Sequence, residues 1–316
     1  MNLISLRKWG ETLGWAVSII LIIWFVYRTL VLIPTLPQPH WNYQSLLIIL
    51  SVMFLYIVTL INGSFVSFGI LRSIAGKTID FPLMITICLI SQIAKYLPGN
   101  IAHHIGRVIL SRKLLVPRKK VIIGIFIEMV WVIGIVMCLT IYHGLNIGND
   151  FFDEHSVIAI TLFSGGIIIG LYLLKGLALK LYNQFLCEQE FTIQKDLKLP
   201  NVSVTILSLA TYFFNYLLLG AIISLLGGAT FGLWELNILT LGSIFAVAWV
   251  VGFFTPGSPA GIGVREFILL ELLTPFYGSE VALALTILLR LTTILGDVIA
   301  WVIGVILWSK FYKSAK

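Results

Sequence analysis

Apolar runs long enough to cross roughly 30 Å of hydrocarbon recur near residues 14–33, 45–68, 121–143, 157–178, 203–227 and 279–308. Each predicts a membrane-spanning helix. The loops at 34–44, 144–156 and 228–235 contain no lysine or arginine. Those near 69–80, 111–120 and 179–202, by contrast, hold Arg72, Lys77, Arg112, Lys113, Arg118, Lys119, Lys120, Lys180, Lys195 and Lys198. The basic loops, and with them both termini, are therefore expected on the cytoplasmic side. The run that follows Arg7 and Lys8 is too long for a signal-peptide core and has no small-residue cleavage site, so it should remain as the first span.

Two further apolar runs do not fit this map as simple crossings. Phe81 to Ala94 is too short to span before Lys95, and it starts and returns beside basic loops. Its tip near Pro98-Gly99 is expected to enter from inside. Leu236 to Phe254 starts after Glu235, breaks at Thr255 to Gly263 and returns towards Glu271 and Glu280, so its tip is expected to enter from outside. The predicted fold class is an all-α polytopic membrane protein with six full spans and two re-entrant broken-helix hairpins. Counting each hairpin as two partial helices gives an eight-span alternative.

The two hairpins match in layout. In each, Pro-Gly interrupts the apolar run and an arginine follows nine residues after the proline: Pro98-Gly99 with Arg107, and Pro256-Gly257 with Arg265, 158 positions apart (107 to 265). Ala102 pairs with Ala260, Ser45 with Ser203 and Val121 with Val281 at about the same offset. The expectation is one transmembrane domain, 1–316, made of two inverted-topology halves, about 1–156 and 157–316. Broken helices in corresponding positions of two halves point to a binding site near the bilayer midplane.

Composition agrees with this class and narrows the chemistry. With 59% hydrophobic and 11% charged residues and a mean hydropathy of +1.02, the chain has too much apolar sequence for a soluble domain. Its net charge of +7 sits in short loops rather than among exposed aromatics, so no nucleic-acid partner is expected. Cys88, Cys138 and Cys187 have no paired spacing, and no metal or cofactor is expected. Walker, Gly-x-Ser-x-Gly and complete dinucleotide motifs are missing, and Gly261-Ile262-Gly263 is only a fragment of the last. The expectation is therefore that the chain is not an enzyme.

The remaining polar residues inside apolar segments carry the candidate chemistry. After each Pro-Gly break a helix is expected, at about 101–111 and 264–273, with its amino-terminal N–H groups favouring an anion. Gly257, Gly261 and Gly263, with Pro256 and Pro259, would let backbone approach a ligand closely, although Pro and Gly are also frequent in membrane helices. Arg107 and Arg265 are costly at membrane depth unless they face a cavity or a partner, and a guanidinium suits phosphate. Lys95 could add a second positive point near the first tip. His103 falls on the face of Arg107, one turn before it, and could donate a hydrogen bond or accept a proton, with His104 directed elsewhere.

Substrate-binding candidates are thus Lys95, Pro98, Gly99, His103, Arg107, Pro256, Gly257, Pro259, Gly261, Gly263, Arg265 and Glu266, while coupling or gating candidates are Glu128, Arg290 and Asp297. Arg290 and Asp297, seven positions apart, share a helix face, with Arg290 about 16 Å along its span. Glu266 is the candidate partner of Arg290, and Glu128 a candidate lock for Lys95 or Arg107.

Lys95-Tyr96-Leu97-Pro98-Gly99-Asn100 with Arg107, and the stretch from Thr255 to Glu266 with its Pro-x-x-Pro-x-Gly-x-Gly-x-x-Glu pattern, resemble the two signature regions of the lysylphosphatidylglycerol synthase transmembrane (flippase-domain) family. The resemblance extends over essentially the whole chain. It implies a plasma-membrane protein handling phospholipids or lipid-linked glycans. Few residues follow Trp308, where the synthases carry a soluble aminoacyl-transferase domain, so lipid lysylation is not expected. The expected function is movement of an anionic lipid headgroup between leaflets, with membrane lipids as partners and a homo-oligomer or envelope-biosynthesis partners left open. The alternatives are an integral membrane enzyme or accessory subunit acting on polyprenyl-linked sugars, and a small-anion carrier.

Overall fold

A computed structural model describes residues 19–36, 42–76, 78–97, 101–147, 200–255 and 258–314. The expected span at 157–178 and both Pro-Gly pairs, 98–99 and 256–257, lie outside the described residues, as does Cys187. Among the described residues the chain is helical, with no strand. We number the helices α1 (Ile19–Leu32), α2 (Tyr43–Ala75), α3 (Phe81–Gln92), α4 (Ala102–Leu110), α5 (Arg118–Ile147), α6 (Val202–Phe231), α7 (Ile238–Phe254) and α8 (Val264–Ser314).

Helices α2, α5, α6 and α8 are each long and apolar enough to cross a membrane, which gives the coarse class read from the sequence. The shorter α3 and α7 are the two runs that were set apart as hairpin arms. Helix α8 joins two segments expected separately: residues 264–277 and 279–314 meet at Gly278, whose φ of 75° lies outside helical space. Gly278 thus divides α8 into two helical segments, matching the separate helix and span expected from the sequence at about 264–273 and 279–308. The kink falls at Gly278, three residues after Pro275, with no longer loop between the two segments.

Helix ends follow local chemistry. The Asn42 side chain accepts from Ser45 N at 2.7 Å, Asp80 from Leu83 N at 3.1 Å and Asn237 from Thr240 N at 3.2 Å, each filling an otherwise orphaned donor. Gly76 (φ 65°) and Gly232 (φ 71°) stop α2 and α6 in the left-handed conformation that ends many helices.

The main core runs through α2, α5, α6, α7 and α8, where Val52, Val136, Ile222, Ile244, Leu273 and Ala282 are buried. Large apolar side chains such as Leu50, Phe54, Ile206 and Ile306 remain exposed on the outside, the arrangement expected where lipid is the solvent. Inside, α6 and α7 approach until their backbones touch. A Cβ added to Gly220 would lie 2.7 Å from Gly242 N, so the contact depends on glycine at both positions.

Candidate functional site

The polar interior of the bundle is organised around the two helix breaks. After α3 the chain tightens into a 3-10 turn at Ile93–Tyr96, and before α8 it makes another at Pro259–Gly261. These two turns pack against each other, although they are far apart in sequence. The second is held by Gly261 N donating to Ser258 O (3.3 Å), Ile262 N to Pro259 O (3.0 Å) and the buried Ser258 hydroxyl to Ile262 O (2.9 Å). Ala260 (φ 50°), Gly261 (φ 71°) and Gly263 (φ 86°) all adopt left-handed backbone. For Ala260 this is a sparsely populated conformation held by the surrounding turn.

A cavity of about 250 Å³ lies beside these turns, with walls from every helix between α2 and α8. Lys95, His103, Arg107, Arg265, Arg290, Glu128 and Asp297 all line it, so residues chosen from both halves of the sequence share one space. Gly261 and Gly263 belong to the turn below Arg265, and Pro259 begins it.

Three of the four cations are matched with carboxylates. Arg107 grips Glu128 through both ends of its fork, with Nη1 3.2 Å from Oε1 and Nη2 2.6 Å from Oε2. Nη2 also donates to the Ser67 hydroxyl at 2.8 Å, which fixes the pair to α2. Arg290 pairs through Nε with Glu266 Oε1. The other oxygen of Glu266 accepts from Gly263 N at 2.6 Å, the backward reach of a capping acid in the first turn. Both oxygens of Glu266 are thereby committed, which makes it an anchor joining the turn to the far part of α8.

The third pair joins partners that were not matched from sequence. Lys95 Nζ lies 2.6 Å from Asp297 Oδ2. Asp297 is wholly buried and also accepts from the Tyr96 hydroxyl at 2.6 Å and the Tyr56 hydroxyl at 3.0 Å. Lys95 further donates to Tyr56 Oη at 3.3 Å. The sequence suggests Lys95 as a point for phosphate and Asp297 as a coupling residue, whereas in the fold they neutralise each other. Tyr96 belongs to the Lys95–Asn100 stretch but the sequence assigns it no role, and Tyr56 looks like one more aromatic in an apolar stretch. A second feature corrects the helical-face reading of α4. His104 lines the cavity together with His103, their rings 3.9 Å apart.

Arg265 differs from the other cations. It forms no ion pair or hydrogen bond with the described residues, and its Nε is buried without a partner. Glycines make its path. A Cβ on Gly252 would come within 2.9 Å of Arg265 Nε, and one on Gly261 within 2.7 Å. The absent side chain of Gly261 therefore makes room for this arginine, where sequence reading had reserved the space for a ligand.

Asn62 and Asn215 extend the polar lining, with Asn62 Nδ2 donating to Asn215 Oδ1 at 2.9 Å and Asn215 Nδ2 to Thr59 O at 3.2 Å. Among the described residues no three His, Cys, Asp or Glu side chains cluster as metal ligands. No protein-family model matches the chain, and no curated protein matches it.

Proposed function

We propose that this chain is an inverted-repeat membrane transporter that binds the phosphate of an anionic lipid at the paired helix breaks and moves the headgroup between leaflets. The observation that carries the reading is Arg265, an intramembrane guanidinium lining a cavity with no carboxylate partner among the described residues, where the other three cations each have one. An uncompensated charge at that depth is costly, and an anionic ligand removes the cost. A guanidinium presents fixed donors to phosphate oxygens and keeps its proton.

Support for two related halves comes from element order. The starts of α2 and α6 (Tyr43 and Val202), α3 and α7 (Phe81 and Ile238), and α4 and α8 (Ala102 and Val264) are each separated by close to the offset that relates Arg107 to Arg265. In an inverted repeat, rocking of one half against the other would carry a site at the shared breaks from one membrane face to the other. The resemblance to the flippase-domain family, the basic loops and the expected cytoplasmic termini point to a plasma-membrane protein with lipid partners.

Leaflet exchange of a labelled anionic phospholipid in proteoliposomes tests this. Exchange by the wild-type chain and its loss in Arg265→Ala, with partial retention in Arg265→Lys, are the expected results. Exchange that proceeds unchanged in Arg265→Ala would refute the assignment.

A further inference from the structure

Counting the charges of the cavity limits what the proposed lipid site can hold. Lys95, Arg107, Arg265 and Arg290 bring four positive charges, and Asp297, Glu128 and Glu266 answer three of them through direct ion pairs. Among the described residues lining the cavity, one positive charge is left over, on Arg265. A ligand with a single negative charge balances these described side chains. A second negative charge would find no further unpaired lysine or arginine among the described residues lining the cavity and would face Glu128 and Asp297 across it.

Size acts in the same direction. At about 250 Å³ the cavity is smaller than the roughly 300–1,000 Å³ of sites that enclose a drug-sized ligand, so it suits a compact headgroup rather than a bulky glycan.

We infer that the site selects a compact, singly charged phosphodiester headgroup at Arg265 and rejects phosphomonoesters and diphosphate-linked glycans. This rests on the lipid-binding reading above and resolves its substrate class. A phosphodiester carries one negative charge, whereas a phosphomonoester carries about −1.5 to −2 at pH 7. The three carboxylates thus act as specificity-determining residues by cancelling cations that would otherwise attract higher charge.

The test is binding of three lipids to the full-length chain in zwitterionic nanodiscs at pH 8, namely phosphatidylglycerol, phosphatidic acid and a polyprenyl diphosphate sugar. Phosphatidylglycerol should bind at least about tenfold more tightly than either of the others. Glu128→Gln and Asp297→Asn each release one cation, so each should move the preference towards phosphatidic acid. Wild-type protein that binds phosphatidic acid or the diphosphate as tightly as phosphatidylglycerol overturns the inference, even if neither variant folds. So does an unchanged preference in both folded variants. Lack of binding by all three lipids overturns the lipid reading and this inference together, whereas loss of selectivity alone overturns only the inference. Soluble glycerophosphoglycerol separates the two sources of a phosphodiester: weak competition assigns the cavity to a lipid headgroup, and competition at equal affinity assigns it to a free diester.

Discussion

Lys95 Nζ and Asp297 Oδ2, 2.6 Å apart, tie the turn that ends the first broken helix to the interior of α8. Asp297 is fully buried, and the side chain of Lys95 is 20% exposed. Each is tolerable there because the other is present.

Removing one member should therefore cost more than removing both. Lys95→Met leaves Asp297 charged and buried, with an expected loss of about 3–5 kcal/mol. The double variant Lys95→Met/Asp297→Asn should recover part of that loss. Unfolding in detergent, followed by helical signal, measures the cycle. Equal destabilisation in the single and double variants would mean that the pair is not the source of the cost.

The tyrosine hydroxyls on Asp297 give a smaller and separable effect. Tyr96→Phe deletes a 2.6 Å hydrogen bond to a carboxylate while keeping the ring, and should cost about 1.5–3 kcal/mol in the same assay. In the Asp297→Asn background the cost should shrink, since the acceptor is no longer charged.

The pair on α4 and α5 depends on guanidinium shape as well as charge. Arg107 meets both oxygens of Glu128 and the hydroxyl of Ser67, so Arg107→Lys keeps the charge but cannot keep the three contacts. The expected stability order is wild type, then Ser67→Ala at about 1 kcal/mol lower, then Arg107→Lys, then Glu128→Gln. Thermal unfolding of the four proteins reads this order directly. A Glu128→Gln protein as stable as wild type would contradict it.

Charged residues in apolar runs were visible before the structure because each breaks a hydrophobic pattern, and that is why Lys95, Arg107, Glu128, Arg265, Glu266, Arg290 and Asp297 could be named from sequence. The Arg290–Glu266 contact was open to a charge argument, since a mid-membrane arginine needs an acid from another segment and Glu266 is an intramembrane candidate. Lys95–Asp297 was not, because it depends on how α3 and α8 pack across the bundle, a relation that no local periodicity encodes. For the same reason Tyr56, Tyr96 and Ser67 were illegible: their side chains carry no charge, and their role exists only once Asp297 or Glu128 is beside them. Glycine was legible as a helix breaker at 261, but at 252 it sits inside an ordinary apolar helix. Only the path of the Arg265 side chain explains it.

That path supplies a functional prediction. Gly252→Ala adds a methyl group where Arg265 Cγ and Nε pass at 2.5 and 2.9 Å, forcing the arginine to move while the helix itself gains a better helix former. The proposed anion binding should fall about tenfold or more, with only a small change in unfolding temperature. Phosphatidylglycerol binding and thermal unfolding, measured on one preparation, separate the two effects. Unaltered binding in a folded Gly252→Ala protein would show that the position of Arg265 does not matter.

The close approach of α6 and α7 makes the opposite prediction, in which stability changes because the packing itself is altered. Gly220 and Gly242 each face backbone of the other helix, with Gly242 N only 2.7 Å from where a Gly220 Cβ would lie. Backbone cannot rotate aside as a long side chain can, so Gly220→Ala must push the helices apart and disturb the buried contacts of Ile222 and Ile244. Overpacking of this kind costs about 1–3 kcal/mol. Gly134, on α5, is the matched control because an added Cβ there meets nothing within 4 Å. Gly134→Ala should leave stability unchanged or raise it by about 0.5–1 kcal/mol through helix propensity. Detergent unfolding of both variants distinguishes a general glycine effect from the specific contact: a loss confined to Gly220→Ala supports the α6–α7 contact, and equal behaviour of the two would argue against it.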